Sequence, residues 1–430
     1  MPYALRAFLL PYARHFRAMG WRVGAAASGE PLGLDGVNDR TWDDATREAF
    51  PERFNLELRR GLRGATGVMA TARRLRDIVA THEFDLVHVH TPVVSIAARL
   101  GLYPLRRANG VRLIYTAHGF HFHSGRSWLG NAPWAAIERS FVRLTDWLVV
   151  MNEEDLQAAR SWPGIAPDRV VPMPGIGVDL SLYGGPRGRA AFAGLGITED
   201  QPILLMLGEL RANKRVGDAI RALARLRDSR AVLCVAGAGP LLHTWMAMAE
   251  SLGLGGRVKF LGYRTDVPAL LAGADALVFC TEREGLPRSV MEAMAAGVPV
   301  VATDIRGNRD LLAPTGGLLY PLGDVNALTH CLSRLLTDRE LVVRLAEAGQ
   351  RSVPQYELGR VLALHEELYG RVLAAGAPST VRRGRPRRNR IGTRGTTGFG
   401  EPAWVPSDAW VHREPSHPAL EPLSSLSAGE

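Results

Sequence analysis

Two glutamates eight positions apart, Glu284 and Glu292, lie in the stretch Thr281-Glu282-Arg283-Glu284-Gly285-Leu286-Pro287-Arg288-Ser289-Val290-Met291-Glu292, which continues as Ala293-Met294-Ala295-Ala296-Gly297-Val298-Pro299-Val300-Val301-Ala302. The pattern is a strand end, a Gly/Pro loop, a short Ala-rich helix, a tight Gly turn and a further strand. In open α/β sheets ligands sit in the crevice beyond the carboxyl ends of the strands, and a helix start offers free backbone amides to a phosphate. The loop Gly285-Leu286-Pro287 and the amides around Leu286 to Ser289 could therefore hold a diphosphate. Glu292, one turn inside the helix, could accept hydrogen bonds from ribose hydroxyls, while Glu284 would face a sugar. The spacing alone fits an ordinary exposed helix equally well.

A second group is histidine-rich. Val87-His88-Val89-His90-Thr91-Pro92 and Tyr115-Thr116-Ala117-His118-Gly119-Phe120-His121-Phe122-His123 each place histidines at a strand end facing the presumed cleft, with His90, Thr91 and His121 on the acceptor side. Five histidines between 88 and 123 also suggest a metal site. No carboxylate or cysteine completes a recognisable ligand spacing, so no metal is expected. His121 and His123 could simply line the loop.

The elements that must position these residues follow from the rest of the chain. At 430 residues, with 46% hydrophobic and 22% charged residues, it is long enough for two domains and a tail. Short apolar runs alternate with helix-period segments through residue 375, the pattern of βα units around parallel sheets. One strand series runs from Val23–Ala27 through Leu86–His90, Arg112–Thr116 and Trp147–Met151 to Val170–Met173. The other runs from Ile203–Leu207 to Gly317–Tyr320. The Pro/Gly cluster from Pro172 to Gly177 marks a hinge between them. The expected division is a first Rossmann-like domain over 1–178, a second over 179–355, a helix over 356–375 that crosses back to the first lobe, and a disordered Arg/Pro-rich tail over 376–430. Met1 leads almost directly into the helical pattern Phe8, Leu9, Tyr12, Phe16 and Met19, so the first lobe is expected to lack its first strand.

Cys234, Cys280 and Cys331 lie unpaired in apolar stretches, which suits reduced, buried thiols in a cytoplasmic protein. No apolar run approaches the length of a membrane span. The net charge of +9 is compatible with nucleic acid, an anionic membrane surface or anionic substrates. The tail beyond Gly376 nets +3 and the body keeps +6; seven arginines lie between 382 and 394, yet Trp404 and Trp410 lie outside the dense Arg run, which argues against base stacking and against nucleic acid as a partner.

In their context, the glutamate pair and its surroundings resemble the signature of glycosyltransferase family 4. The resemblance extends over most of residues 5 to 375. Pro202 to Arg215 is similar to the family's loop after the first donor-lobe strand, and Ala236-Gly237-Ala238-Gly239-Pro240 to the turn after the second. Thr116-Ala117-His118-Gly119-Phe120-His121, Pro174 to Asp179 and Asp304-Ile305-Arg306-Gly307-Asn308-Arg309-Asp310 are similar to bacterial members that build capsule, exopolysaccharide and lipid-linked glycans. Gly307 and Asn308 would sit in a helix-capping loop.

The resemblance implies a GT-B fold, two Rossmann-like lobes facing a cleft. It also implies retaining transfer of a hexosyl or N-acetylhexosaminyl group from a nucleoside diphosphate sugar, a UDP-sugar by preference, to a saccharide or lipid-linked acceptor. Lys214 matches the family's phosphate-neutralising lysine, next to Gly208. The usual arginine after the glycine is Glu209 here, leaving Arg211 as a substitute. His118 matches the active-site histidine, with Glu284 and Lys214 as the other catalytic groups. A nucleotide-sugar cosubstrate is expected, with no cofactor and no metal. The location would be cytoplasmic, with peripheral contact at the inner face of the plasma membrane. A nucleotide-sugar epimerase on the same fold, or a non-catalytic binding protein, is the competing reading.

Overall fold

The computed structural model describes residues 5–27, 43–56, 64–226 and 230–375. The reading of 376–430 as disordered lies outside the described residues.

The first half runs α1 (Leu10–Ala18), β1 (Gly24–Ala27), α2 (Asp44–Ala49), β2 (Glu52–Asn55), α3 (Gly64–Thr81), β3 (Leu86–Val89), α4 (Pro92–Asn109), β4 (Arg112–Ala117), α5 (Trp128–Val142), β5 (Trp147–Val150), α6 (Glu153–Arg160) and β6 (Val170–Pro172). The second runs β7 (Ile203–Leu207), α7 (Val216–Arg225), β8 (Val232–Ala236), α8 (Leu242–Ser251), β9 (Val258–Gly262), α9 (Val267–Gly273), β10 (Ala276–Phe279), α10 (Arg288–Ala295), β11 (Val300–Thr303), α11 (Arg306–Leu312), β12 (Leu318–Tyr320), α12 (Val325–Thr337), α13 (Arg339–Ser352) and α14 (Leu358–Ala374).

The second half forms one parallel sheet of order β12-β11-β10-β7-β8-β9. Its strands are unbroken apolar runs such as Ile-Leu-Leu-Met-Leu in β7, because both sheet faces are covered. The strand order reverses between β7 and β10, so the loops leaving these two neighbours diverge and open a crevice at their carboxyl ends.

The first half divides into two sheets, β3-β4-β5-β6 and the parallel pair β1-β2. β1 and β3 each keep one edge without a strand partner among the described residues. β2 and α2 are additions to the elements expected from the sequence. The four-residue β2, Glu-Arg-Phe-Asn, carries one large apolar side chain and gives no distinguishable period.

α14 packs Val361, Leu362, Leu368 and Val372 against Ile114, Trp147 and Val149 of the first sheet and against Tyr12 and Phe16 of α1. At the crossing, Val178 N donates to Tyr356 O and Leu358 N to Val178 O, both at 2.9 Å. Gly177 is required there: its φ is +81°, and a Cβ would stand 2.9 Å from Leu358 Cα. The three cysteines are buried and free. Among the described residues no helix is long and apolar enough to cross a membrane.

Candidate active site in the crevice between the sheets

Lys214 and Glu284 leave the sheet on either side of its switch point. β7 runs out through Gly208 into a 3-10 turn, Ala212–Lys214, and β10 into the loop that carries Glu284. Glu282 N donates to Asn213 O at 2.9 Å, tying the two loops together. The Lys214 Nζ ion-pairs with Glu284 Oε1 and stands 5.5 Å over the Phe279 ring. Each partner side chain is about one-fifth exposed (23% and 22%), so the pair is shielded yet reachable from the crevice. A cation held by a carboxylate at this position can be exchanged for an incoming phosphate, since Lys is a compact point charge on a flexible stem.

The turn after β8 supports this loop. A Cβ at Gly237 would fall 1.8 Å from Gly208 O, and one at Gly239 2.6 Å from Leu210 N. The Gly-x-Gly pair therefore serves backbone contact between the β7 and β8 loops. Arg211 pairs with Glu209 at 2.5 Å, so the two residues that differ from the family's loop satisfy one another.

Pro287 precedes α10, and no side chain caps that helix start. The macrodipole of a helix favours an anion at such a start. Gly285, Leu286 and Pro287 are buried beneath this turn. Glu292, 8% exposed, is paired with Arg288 at 2.8 Å and is hydrogen-bonded by Tyr183. Burial raises its pKa, against the opposing pull of Arg288 and Tyr183.

The first lobe meets this site backbone to backbone. A Cβ at Gly285 would come 2.6 Å from His118 C and O and 2.9 Å from Gly119 N, so the Gly285 loop lies directly on the His118 turn. A Cβ at Gly307 would come 1.9 Å from Gly285 O. Gly307 and Asn308 are therefore not a capping loop, as expected from sequence. They lie inside α11, whose N-cap is Ile305, and the Asn308 amide donates to Thr303 O at 2.8 Å. Crowding against Gly285 demands the glycine, and the buried carbonyl of Thr303 demands a donor.

His118 sits at the end of a column of imidazoles. His90 Nδ1 and His118 Nε2 share a hydrogen bond of 3.2 Å. His88 bonds Thr116 Oγ1 and Tyr369 Oη, both at 2.6 Å, the latter on α14. Burial, and behind it the positive field of His365, hold His118 down to about 4. It is thus a neutral ring that can donate or accept. Thr91 is the N-cap residue of α4, with no side-chain cap. His121 is stacked on Trp134 with centroids 4.8 Å apart. No group of three or more His, Cys, Asp or Glu residues able to hold a metal occurs among the described residues.

Two residues unassigned from sequence join the halves. Arg306, 4% exposed, donates to Phe122 O at 2.9 Å, to Phe120 O, to Glu284 O at 3.1 Å and to the Asp155 carboxylate at 2.6 Å. Asp310 accepts from Glu153 N, the first amide of α6, at 2.9 Å. Both belong to Asp304-Ile305-Arg306-Gly307-Asn308-Arg309-Asp310, in which Arg309 pairs with Asp304 at 2.8 Å while Arg306 and Asp310 bond across to the first half. That stretch was the available signal.

Residues 8–182 match the family profile Glycosyltransferase Family 4, and residues 189–352 match Glycosyl transferases group 1. EpsD of Bacillus subtilis (strain 168), named as a glycosyltransferase, is 34% identical over 379 residues, 85% of this chain and 93% of EpsD. An Escherichia coli protein named UDP-Gal:alpha-D-GlcNAc-diphosphoundecaprenol alpha-1,3-galactosyltransferase is 23% identical, covering 69% of this chain and 77% of its own. Among solved structures, Anabaena HepE in complex with UDP-glucose superposes with a TM-score of 0.65 at 18% identity, covering 84% of this chain and 96% of that one. These similarities span both sheets and the crevice between them, and the chain belongs to the family 4 glycosyltransferases of the GT-B fold.

Proposed function

We propose that the chain is a retaining glycosyltransferase that moves a hexosyl or N-acetylhexosaminyl group from a nucleoside diphosphate sugar, a UDP-sugar by preference, to a lipid-linked saccharide in surface polysaccharide biosynthesis. The observation that carries this reading is the Lys214–Glu284 pair at the switch point, beside the uncapped start of α10 and across from His118. The diphosphate takes Lys214 and the α10 amides, which frees Glu284 to orient the sugar. Glu292 accepts from the ribose, and His118 hydrogen-bonds the transferred sugar from the opposite lobe. The departing diphosphate accepts the proton of the attacking hydroxyl on the same face of the sugar. Charge developing on the leaving group is met by Lys214 and the preorganised amides, and the packed lobes exclude water.

The reading needs no metal ion, because Lys214 and the helix start do that neutralisation. A lipid-linked acceptor is supported by the diphosphoundecaprenol acceptor in the name of the E. coli relative, and it would place the protein in the cytoplasm against the inner membrane face.

The test is thermal stabilisation by a panel of UDP- and GDP-sugars, since a ligand of the native state alone raises Tm, followed by product analysis with chelator present. Glu292→Ala should weaken UDP binding. Unchanged affinity removes its ribose role, and release of an epimerised donor in place of transfer sinks the transferase reading.

A further inference from the structure

The rim of the crevice on the first-lobe side joins an unneutralised positive charge to an unpartnered apolar surface. In the loop between β4 and α5, Arg126 Nη1 donates to His121 O at 3.3 Å, and the His121 ring stacks on Trp134 of α5, 24° from parallel. Asn131 Nδ2 donates to His123 O at 2.8 Å and to Arg126 O at 3.2 Å, and its Oδ1 accepts from His123 N, so the loop is braced. Opposite it, Arg283 is two residues ahead of Gly285, whose backbone lies on His118 and Gly119. Burial first, and then the charges of Arg283, Arg306 and Arg126, hold His121 down to about 4, so these groups share one field.

Most arginines of the crevice are already matched. Arg306 holds Asp155, Arg211 holds Glu209, Arg264 holds Asp266 and Arg288 holds Glu292. Arg126 and Arg283 are exposed, and neither has a carboxylate within ion-pair distance among the described residues. Beside them, the first turn of α5 presents Trp128 and Leu129 at 77% and 74% exposure. Large apolar side chains at that exposure, rimmed by basic groups, mark a docking surface.

We infer that this rim is a subsite for the diphosphate of the acceptor and the start of its apolar tail. Arg126 and Arg283 grip the diphosphate with forked donors, the neutral His121 hydrogen-bonds it, and Trp128, Leu129 and Trp134 cover the tail. The placement suits the reaction. Arg283 adjoins Glu284 and His121 follows His118 by three residues, so the anion lies outward of the transferred sugar, where a saccharide one ring long would present its hydroxyl inward. The inference rests on the lipid-linked acceptor proposed above.

Geranylgeranyl diphosphate, geranylgeraniol and phosphatidylglycerol vesicles are the probes, titrated calorimetrically into the full chain with saturating UDP, which fills the donor's own diphosphate site. Geranylgeranyl diphosphate should bind at least about tenfold more tightly than the alcohol. Arg126→Gln and Arg283→Gln should each weaken it about tenfold, and Trp128→Ala with Leu129→Ser by a similar factor, all with UDP affinity unchanged. Failure of UDP and GDP to bind would overturn the donor reading. Nucleotide binding with diphosphate affinity indifferent to both arginines would overturn the subsite alone. Vesicle binding lost with Trp128 and Leu129, while the arginine changes leave geranylgeranyl diphosphate binding intact, would reassign the patch to the membrane surface.

Discussion

The guanidinium of Arg306 and the carboxylate of Asp155, 151 positions apart in sequence, form a buried ion pair of 2.6 Å, with side-chain exposures of 3% and 0%, that joins the two halves of the molecule. The remaining guanidinium donors reach the carbonyls of Phe120, Phe122 and Glu284. One side chain thus holds the His118 turn and the Glu284 loop in register.

Removing one partner leaves the other charge buried without compensation, which typically costs about 3–5 kcal/mol. Arg306→Ala should therefore lower unfolding free energy by about that amount in urea, and Arg306→Lys should recover only part, because an ammonium cannot serve three carbonyls and a carboxylate at once. The double variant with Asp155→Ala should lose less than the sum of the single losses. Strict additivity would show that the pair is not coupled.

Gly285→Ala introduces a methyl group where the His118 carbonyl already stands. Backbone cannot yield as a flexible side chain does, so the lobes must part or the loop must shift. We expect a larger radius of gyration by small-angle scattering and a loss of transfer activity, with nucleotide affinity much less affected. Gly185→Ala, at a glycine that also lacks a positive φ and around which nothing lies within 4 Å, is the control for a purely local backbone penalty.

Lys214 and Glu284 should respond in opposite directions to donor. Lys214→Ala removes the phosphate's counter-charge and releases a carboxylate into its place, so UDP affinity should fall by about 10-fold or more. Glu284→Gln removes the competitor for Lys214 and should leave UDP binding equal or tighter while transfer falls. Calorimetry with UDP separates the two. Weaker binding in Glu284→Gln would contradict the exchange of Glu284 for phosphate.

Asp310 is held up to about 7, by burial ahead of every other cause. An acid whose pKa is higher folded than unfolded contributes stability that is fully present below the unfolded value, near 4, and is lost as pH rises through the folded value. Stability should thus gain from acidification between about 7 and 4 at this site. Asp310→Asn keeps an acceptor for Glu153 N and carries no charge, so its Tm should be less pH-dependent in that window. A slope equal to that of the unmodified chain would remove Asp310 from the account.

By itself the sequence determined the α/β class, nearly every strand and the family, because those depend on local apolar runs and on words such as Glu-Gly-Leu-Pro that lie contiguous in the chain. β2 was hidden because four residues with one large apolar side chain hold no period. What only the tertiary structure decided is how the halves meet. Arg306, Asp155 and Asp310 look like ordinary surface charges in sequence, and the pairing of Lys214 with Glu284 spans 70 positions. Gly285 and Gly307 look like loop glycines, yet each is demanded by a backbone from elsewhere in the fold. Such constraints arise from close packing and from the cost of burying an unpaired charge, and both come into being only when distant segments are brought together.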